Sequence, residues 1–342
     1  NNFKEQIPYF NNLENTKYSN LLKIIEYQIN DSRKEQKIKK TIKILDTIKD
    51  SISKKVQNQY ESYPYPRWNM MEMNNNDSYS YIIQTEISPN TFSYTPKDNE
   101  KTRILIAGCG TGRHVIRCAM NAQNSIVTAL DLSADSLAYG IRKADEIGVS
   151  NIEWIQGDIL EINKFNYNFD YIESSGVLHH MKNPKDGFKS LSNQLKPKGL
   201  MKLGLYSAHY KKGLDSVKKY IKKNQLKKTK DDIDLIRNYI KKSEDKELVY
   251  IKNHISDFFV TSEFIDLLLH EQEAFTTIPE LKKLFENDFD FLGFVFGNRE
   301  REYYKKYFKE DFKQINLENW NTLENKTTDL FKRMYQFWLQ KK

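Results

Sequence analysis

Residues 104–131 read ILIAGCGTGRHVIRCAMNAQNSIVTALD, and no other stretch constrains the fold so tightly. Ile104-Leu105-Ile106-Ala107 is a short apolar run of the kind that forms a buried parallel strand. It leads straight into Gly108-Cys109-Gly110-Thr111-Gly112, then a helical stretch, then a second apolar run, Ile126 to Leu130, which ends in Asp131. The glycines let the backbone turn tightly and let a ligand approach the main chain with no Cβ in the way. An acid at the tip of the next strand is placed to accept both hydroxyls of a ribose. The unit predicts a nucleoside-binding site on a doubly wound α/β sheet. A dinucleotide asks for G-x-G-x-x-G. Here the position three residues after Gly110 holds Arg113, so the loop is G-x-G-x-G.

The rest of the chain is read around that unit. Strands are expected near 103–107, 126–130, 152–155, 169–174 and 200–206, with helices between them, hence parallel pairing and right-handed crossovers. Lys196-Pro197-Lys198-Gly199 reads as a turn feeding the fifth strand. Residues 17–57 carry Leu21, Leu22, Ile25, Ile29, Ile38, Ile42, Leu45, Ile48 and Ile52 at three- and four-residue steps, which predicts helix with a break at Asp31-Ser32. Tyr60–Trp68 is YESYPYPRW, whose two prolines exclude a helix interior. Asn69–Met73 continues it, residues 74–78 form a loop, and 79–103 read as irregular. After Tyr206 come a Lys-rich helical region, a helix through Glu263 to Leu269, one from Glu280 to Phe285 opened by Pro279, and a strand from Phe289 to Phe296. Trp320, Phe331, Tyr335, Phe337 and Trp338 suit an amphipathic closing helix. The expected organisation is an N-terminal helical region (1–59), a strap (60–101), a nucleoside-binding core (102–210), a helical substrate cap (211–287) and a last strand with its closing helix (288–342).

At 342 residues the chain is long enough for one large core, or one domain with an elaborated cap. The two cysteines, Cys109 and Cys118, both lie in the glycine unit, so a disulfide framework is not expected and a cytoplasmic setting is. No run of 18 apolar residues predicts membrane insertion, and residues 1–18 carry no signal-peptide pattern. The net charge of +8 is concentrated: residues 211–246 hold 13 Lys or Arg against 6 Asp or Glu. Such a surface suits an acidic partner or nucleic acid. The regular aromatics of a single-strand groove are missing, however, so nucleic acid is the weaker reading and a solvated helical face the preferred one.

Several positions agree with one family. The stretch from about Thr102 to Ser207 resembles class I S-adenosylmethionine methyltransferases. Gly108, Cys109, Gly110, Thr111 and Gly112 match the loop that wraps the methionine part, and Asp131 with Leu132 matches the ribose-binding acid. Gln156-Gly157-Asp158-Ile159 matches the acid that accepts from the adenine amino group. Phe169 to His180, FDYIESSGVLHH, matches the fourth strand and the loop that floors the pocket, Ser174 included. The implied cofactor is S-adenosyl-L-methionine, with no metal, since zinc-ligand clustering is not seen. The sequence departs from the family at Ile106, where most members carry an acid. Neither cysteine is placed to accept a methyl group.

A narrower resemblance spans roughly Tyr60 to Lys341. Tyr60–Trp68, Ile255–Glu263, Asp266–Glu273 and Met334–Lys341 are similar to a bacterial group marked by a YPRW segment, which includes rickettsial outer-membrane-protein lysine methyltransferases. It implies methyl transfer to lysine side chains of a protein. Arg67 is a permanent cation suited to the cofactor. Tyr65 and Trp68 offer faces for adenine or a sulfonium methyl; a hydrophobic strap is the plainer role. Candidates for the acceptor site are Tyr65, Trp68, Glu173, His179, Tyr206 and His270. A small-molecule or lipid-linked methyl acceptor stays open, as does a non-catalytic nucleoside-binding module. The N-terminal helices are candidates for a homodimer interface, with a flank packed on the core as the alternative.

Overall fold

The computed structural model describes residues 26–71, 77–96, 101–209, 214–254, 258–327, 330–331 and 334–342. Its eight strands are β1 (Lys43–Ile44), β2 (Thr102–Ala107), β3 (Ser125–Asp131), β4 (Ile152–Gln156), β5 (Phe169–Ser175), β6 (Leu195–Tyr206), β7 (Phe289–Phe294) and β8 (Met334–Lys341). They form one sheet in the order β1-β4-β3-β2-β5-β6-β8-β7, parallel from β1 to β6 and antiparallel at β8 and β7. This is the doubly wound α/β sheet that the glycine unit predicts.

β2 shows why its sequence is apolar without alternation. Ile104, Leu105, Ile106 and Ala107 are all buried. Leu105 and Ala107 face one core and Ile104 and Ile106 the other, because helices cover both sides of the sheet. Strand order runs outward from β2 in two directions, through β3 on one side and β5 on the other. The crevice at the carboxyl ends of β2 and β5 is therefore the topological switch point, where ligands of open α/β sheets bind.

Four local expectations are corrected. The helical reading of 17–57 fails between residues 40 and 50. A π-helical turn, Glu26–Asn30, runs unbroken into α1 (Asp31–Lys39), so the break is not at Asp31-Ser32. Ile42, Leu45 and Ile48 leave the helix, and Lys43 and Ile44 add an edge strand against Ile155 and Gln156 of β4. Leu21, Leu22 and Ile25 lie outside the described residues, as do residues 74–76 of the expected loop and Ile255–Asp257. The helix then resumes as α2 (Ser51–Ser62), capped by the Asp50 carboxylate, and takes in Tyr60–Ser62 of the expected strap. Residues 79–87 are not irregular but form α3 (Tyr79–Ile87), capped by Ser78. Residues 196–199 lie within β6, where Lys198 takes a left-handed conformation (φ 61°) and the pairing with β5 shifts register.

The fourth correction concerns the C-terminus. Of the aromatics expected on a closing helix, Trp320 lies on a short helix (Leu317–Lys326), Phe331 in a turn, and Tyr335, Phe337 and Trp338 on β8. Tyr335, Phe337 and Leu339 alternate onto one core, while Trp338 joins the opposite one. A period of two with both faces buried overrides the helical spacing, because β8 sits between β6 and β7.

The helical cap leaves the sheet at Ser207 and returns at Thr276. Ala208 N–H donates to Thr276 O (2.8 Å), and Thr276 N–H donates to Tyr206 O (3.0 Å). Between those points lie helices Asp215–Lys223, Lys230–Lys242, Lys246–His254 and Thr261–Leu268, which share a core around Val217, Ile236, Ile240, Phe258 and Phe264. Among the described residues, no helix is long and apolar enough to cross a membrane.

Truncating Phe337, which is fully buried in β8, is expected to cost about 3–5 kcal/mol. Removing the Asp50 cap, which receives the Ile52 and Ser53 N–H groups, is expected to cost about 1 kcal/mol. Denaturant midpoints of Phe337→Ala and Asp50→Ala test both, and equal losses would contradict the assignment of Phe337 to the sheet core.

Candidate functional site

The glycine loop folds as its composition requires. Gly108 and Gly110 take left-handed φ angles of 76° and 53°. A Cβ on Gly108 would lie 2.2 Å from a Val177 methyl carbon, and one on Gly110 would lie 2.6 Å from Tyr65 O. Asp131, at the end of β3, ties the loop down: its Oδ2 accepts from Gly110 N–H (2.7 Å) and its Oδ1 from Ser133 N–H (2.9 Å). Burial raises its pKa, and these N–H groups oppose the rise. Leu132, next along, fixes Gln156 through its carbonyl (3.0 Å). Asp158 is buried, with its pKa raised by burial, and caps a 3-10 helix (Ile159–Lys164) through Leu160 N–H; Ile159 packs in the core. The buried Ser174 hydroxyl has no hydrogen-bond partner among the described residues. A cradle that side chains would fill, a carboxylate at its rim and an orphaned hydroxyl fit a nucleoside cofactor. Cys109 and Cys118 are free and buried, and burial pushes both thiols well up, so neither is a nucleophile at neutral pH.

The strap closes directly over this loop. Thr111 donates its hydroxyl to Pro66 O, and the Trp68 indole N–H donates to Thr111 O (3.2 Å). Trp68 is buried edge-on against Tyr139. Arg67 is exposed, its guanidinium 5.9 Å from the centre of the same ring. Tyr65 meets the loop through its carbonyl. Trp68 therefore pins the loop through its indole nitrogen, in a place apart from the other acceptor-site candidates.

Three of the candidates, His179, Tyr206 and His270, lie together at the carboxyl ends of β5 and β6. His179 stacks on Tyr206 at 3.6 Å and His180 on His270 at 3.5 Å. The Tyr60 hydroxyl donates to Asp266 Oδ1 (2.6 Å) and lies 3.1 Å from His270 Nε2. Gln272 N–H faces His270 Nδ1 (3.2 Å), and His180 Nδ1 faces Gln272 O (2.9 Å). These partners assign the proton of His270 to Nε2 and that of His180 to Nδ1. Burial holds the imidazoles neutral: His179 falls well below its usual range, His180 to about 4 and His270 to about 2. Burial, then the charge of Asp266, pushes the Tyr60 hydroxyl up, so it stays a donor; Tyr206 and Asp131 act in the same direction.

His180, Asp266 and His270 also bring ligand atoms within 4.8 Å of one another. A metal must lie in the plane of each imidazole it binds, and the His180 and His270 rings, stacked face to face, share no such plane. The hydrogen-bond chain accounts for this cluster without an ion.

Glu173 is not part of it. Its carboxylate accepts from the Tyr79 hydroxyl (2.6 Å), meets His114 Nε2 at 2.9 Å and lies 3.9 Å from Lys202 Nζ. Burial alone would raise its pKa, but the charges of His114 and Lys202, with these hydrogen bonds, bring it down to about 2. Sequence reasoning missed Tyr60 and Asp266. Their one signal was position, Tyr60 beside the proline segment and Asp266 four residues before His270.

Residues 98–253 match the family model described as a methyltransferase domain. The chain is 28% identical over 173 residues to an uncharacterised Synechococcus protein, covering 46% of this chain and 38% of that one. It is 31% identical over 98 residues to a probable (S)-tetrahydroprotoberberine N-methyltransferase 2 of Papaver bracteatum, covering 29% and 27%. The chain thus spans well under half the length of these relatives. The fold is similar to that of PKMT2 from Rickettsia typhi, with a TM-score of 0.59 at 17% identity over 80% of this chain and 54% of that one. PKMT2 is also known in complex with AdoHcy, where the likeness has a TM-score of 0.54 at 18% identity over 81% and 54%. With the loop, its acid and the switch-point crevice in place, residues 98–253, the core of this chain, are a methyltransferase domain, for which S-adenosylmethionine is the implied cofactor.

Proposed function

We propose that this protein transfers a methyl group from S-adenosylmethionine to an amine, the lysine side chain of a protein. The observation that carries this reading is the buried cluster of neutral imidazoles and tyrosines at the carboxyl ends of β5 and β6. A lysine ammonium, with a free pKa of about 10.4, must lose a proton before its nitrogen can attack. A dry pocket that keeps histidines uncharged also disfavours the ammonium. Asp266, reached through Tyr60, offers a carboxylate to receive that proton.

The bound cofactor supplies an electrophilic methyl on sulfur. The chain's own work is to hold and orient. Asp131 would accept from the ribose hydroxyls and Asp158 from the adenine amino group. The loop at Gly108 to Gly112 admits the cofactor to the main chain. Val177, packed on Gly108, ties that loop to the Leu178-His179-His180 segment, so cofactor and acceptor sites are positioned by one contact. Transfer then depends on alignment and exclusion of water.

Four sequence segments similar to the rickettsial lysine enzymes support a protein acceptor, and two of them, Tyr60–Trp68 and Asp266–Glu273, supply residues of the cluster. The stretch shared with the Papaver N-methyltransferase supports a second reading, a small-molecule amine. Tritiated S-adenosylmethionine with a cell lysate separates them. The expected outcome is label in protein that hydrolyses to methyl-lysine. Asp131→Ala is expected to abolish labelling and weaken S-adenosylhomocysteine binding about 10–100-fold, the worth of hydrogen bonds to a charged group. Label confined to metabolites would select the second reading.

The cluster also sets a pH dependence. The folded pKa values of His180 and His270 lie below the unfolded 6.5. Below about pH 6.5 the unfolded chain therefore takes up protons that the folded cluster refuses, and stability falls toward pH 4. His180→Gln is expected to show a smaller drop in melting temperature between pH 7 and pH 5 than the parent. Equal drops would mean that His180 is charged in the folded protein.

A further inference from the structure

We infer that the cavity beneath α3 is the seat of an α-amino-acid head group, the methionine end of the cofactor, with Glu173 taking its ammonium and His114 and Arg117 its carboxylate. The inference rests on the S-adenosylmethionine reading and assigns residues that the domain's motifs do not.

The starting point is the departure at Ile106. In parallel pairing, Ile106 of β2 is the register partner of Glu173 of β5. Both face the layer that holds Tyr79, Cys109 and Cys118. An acid absent from one strand is thus present one strand away, a displacement of about 4.8 Å. Glu173 lines a cavity of about 250 Å³ together with Tyr79, His114, Arg117, Lys202 and Trp338. His114 and Arg117 stand on the first turns of the helix Arg113–Asn121, which begins directly after Gly112. The cavity therefore adjoins the loop expected to wrap the methionine part.

The charges in this cavity are incompletely matched. Lys202 is held by Glu86 (2.7 and 2.8 Å), which also accepts from the Trp338 indole N–H (2.7 Å). Lys202 is therefore committed, and it stays 3.9 Å from Glu173. The close partners of Glu173 are the Tyr79 hydroxyl and His114. A carboxylate has about four acceptor positions, so room remains for an ammonium. The Glu173 side chain is 4% exposed and that of His114 41%, so His114 is the partner that can turn away. Arg117 is exposed at the rim and makes no ion pair among the described residues. An arriving zwitterion would take Glu173 from His114 and offer its carboxylate to His114 and Arg117 in return. Glu173 and both charges of the ligand are then paired, with Asp77 the remaining carboxylate of the lining.

The test compares two ligands by calorimetry on the whole chain. S-adenosylhomocysteine carries the amino-acid end, and 5′-methylthioadenosine keeps the adenosine and thioether without it. Glu173→Gln is expected to weaken S-adenosylhomocysteine at least about tenfold and leave 5′-methylthioadenosine unchanged. His114→Ala and Arg117→Ala are expected to lower the same affinity ratio several-fold. A ratio unmoved by Glu173→Gln overturns the inference. If that variant does not fold, His114→Ala, at a half-exposed position, decides in the same way. A parent protein that binds neither ligand would instead overturn the cofactor reading itself.

Discussion

The pair of hydrogen bonds that Asp131 receives is the constraint from which the site is built. One carboxylate joins the tip of β3 to Gly110 of the loop after β2 and to Ser133 at the start of the next helix. The loop can hold this position because its glycines tolerate left-handed angles. Once fixed, it becomes a surface for other segments. Val177 packs on Gly108, the strap carbonyl of Tyr65 rests on Gly110, and Trp68 seals Thr111 from outside. The loop that would hold the cofactor is thus the place where two segments distant in sequence, the strap and the stretch after β5, are set in register.

Two of the buried polar clusters near that frame handle charge in opposite ways. The histidine cluster stays neutral by losing protons, and its one carboxylate, Asp266, is held by a tyrosine hydroxyl. The Glu173 cluster stays charged and is kept so by histidine and lysine. They lie on different sides of the same strand-end crevice. The proposed reaction would use such a division, because a site that binds a zwitterion must favour charge and one that activates an amine must disfavour it.

Much of this was legible in the sequence, for definable reasons. Buried parallel strands announce themselves as apolar runs, and the spacing from Gly112 to Asp131 is set by one helix and one strand, so β2, β3 and the loop could be read together. Elements whose pattern depends on their neighbours could not. MYQFWLQK reads as a strand only once β6 and β7 are known to pair with both edges of β8 and a core to lie on each of its faces. Lys43 and Ile44 are a strand only because β4 offers an unpaired edge. Trp68 looked like a ligand-facing aromatic because sequence shows an indole and not the carbonyl it satisfies. Glu173 was expected beside the histidines of the acceptor site, but its partners, His114, Tyr79 and Lys202, come from three other elements and share no spacing with it. Tyr60 and Asp266 are 206 residues apart in the chain, and no local pattern links them.

The pairing of Ser207 with Thr276 has a consequence of its own. The excursion between them begins and ends at one point on the sheet, so its ends are already closed by the sheet's own hydrogen bonds. The entropy of closing a loop rises only slowly with length, and here that closure is independent of what the excursion contains. The stretch that brings Asp266 and His270 to the crevice is therefore a detachable module. On the proposed reading, exchanging or lengthening it would change which acceptor is admitted while the nucleoside side of the crevice kept its geometry, which makes specificity the cheaper of the two properties to alter.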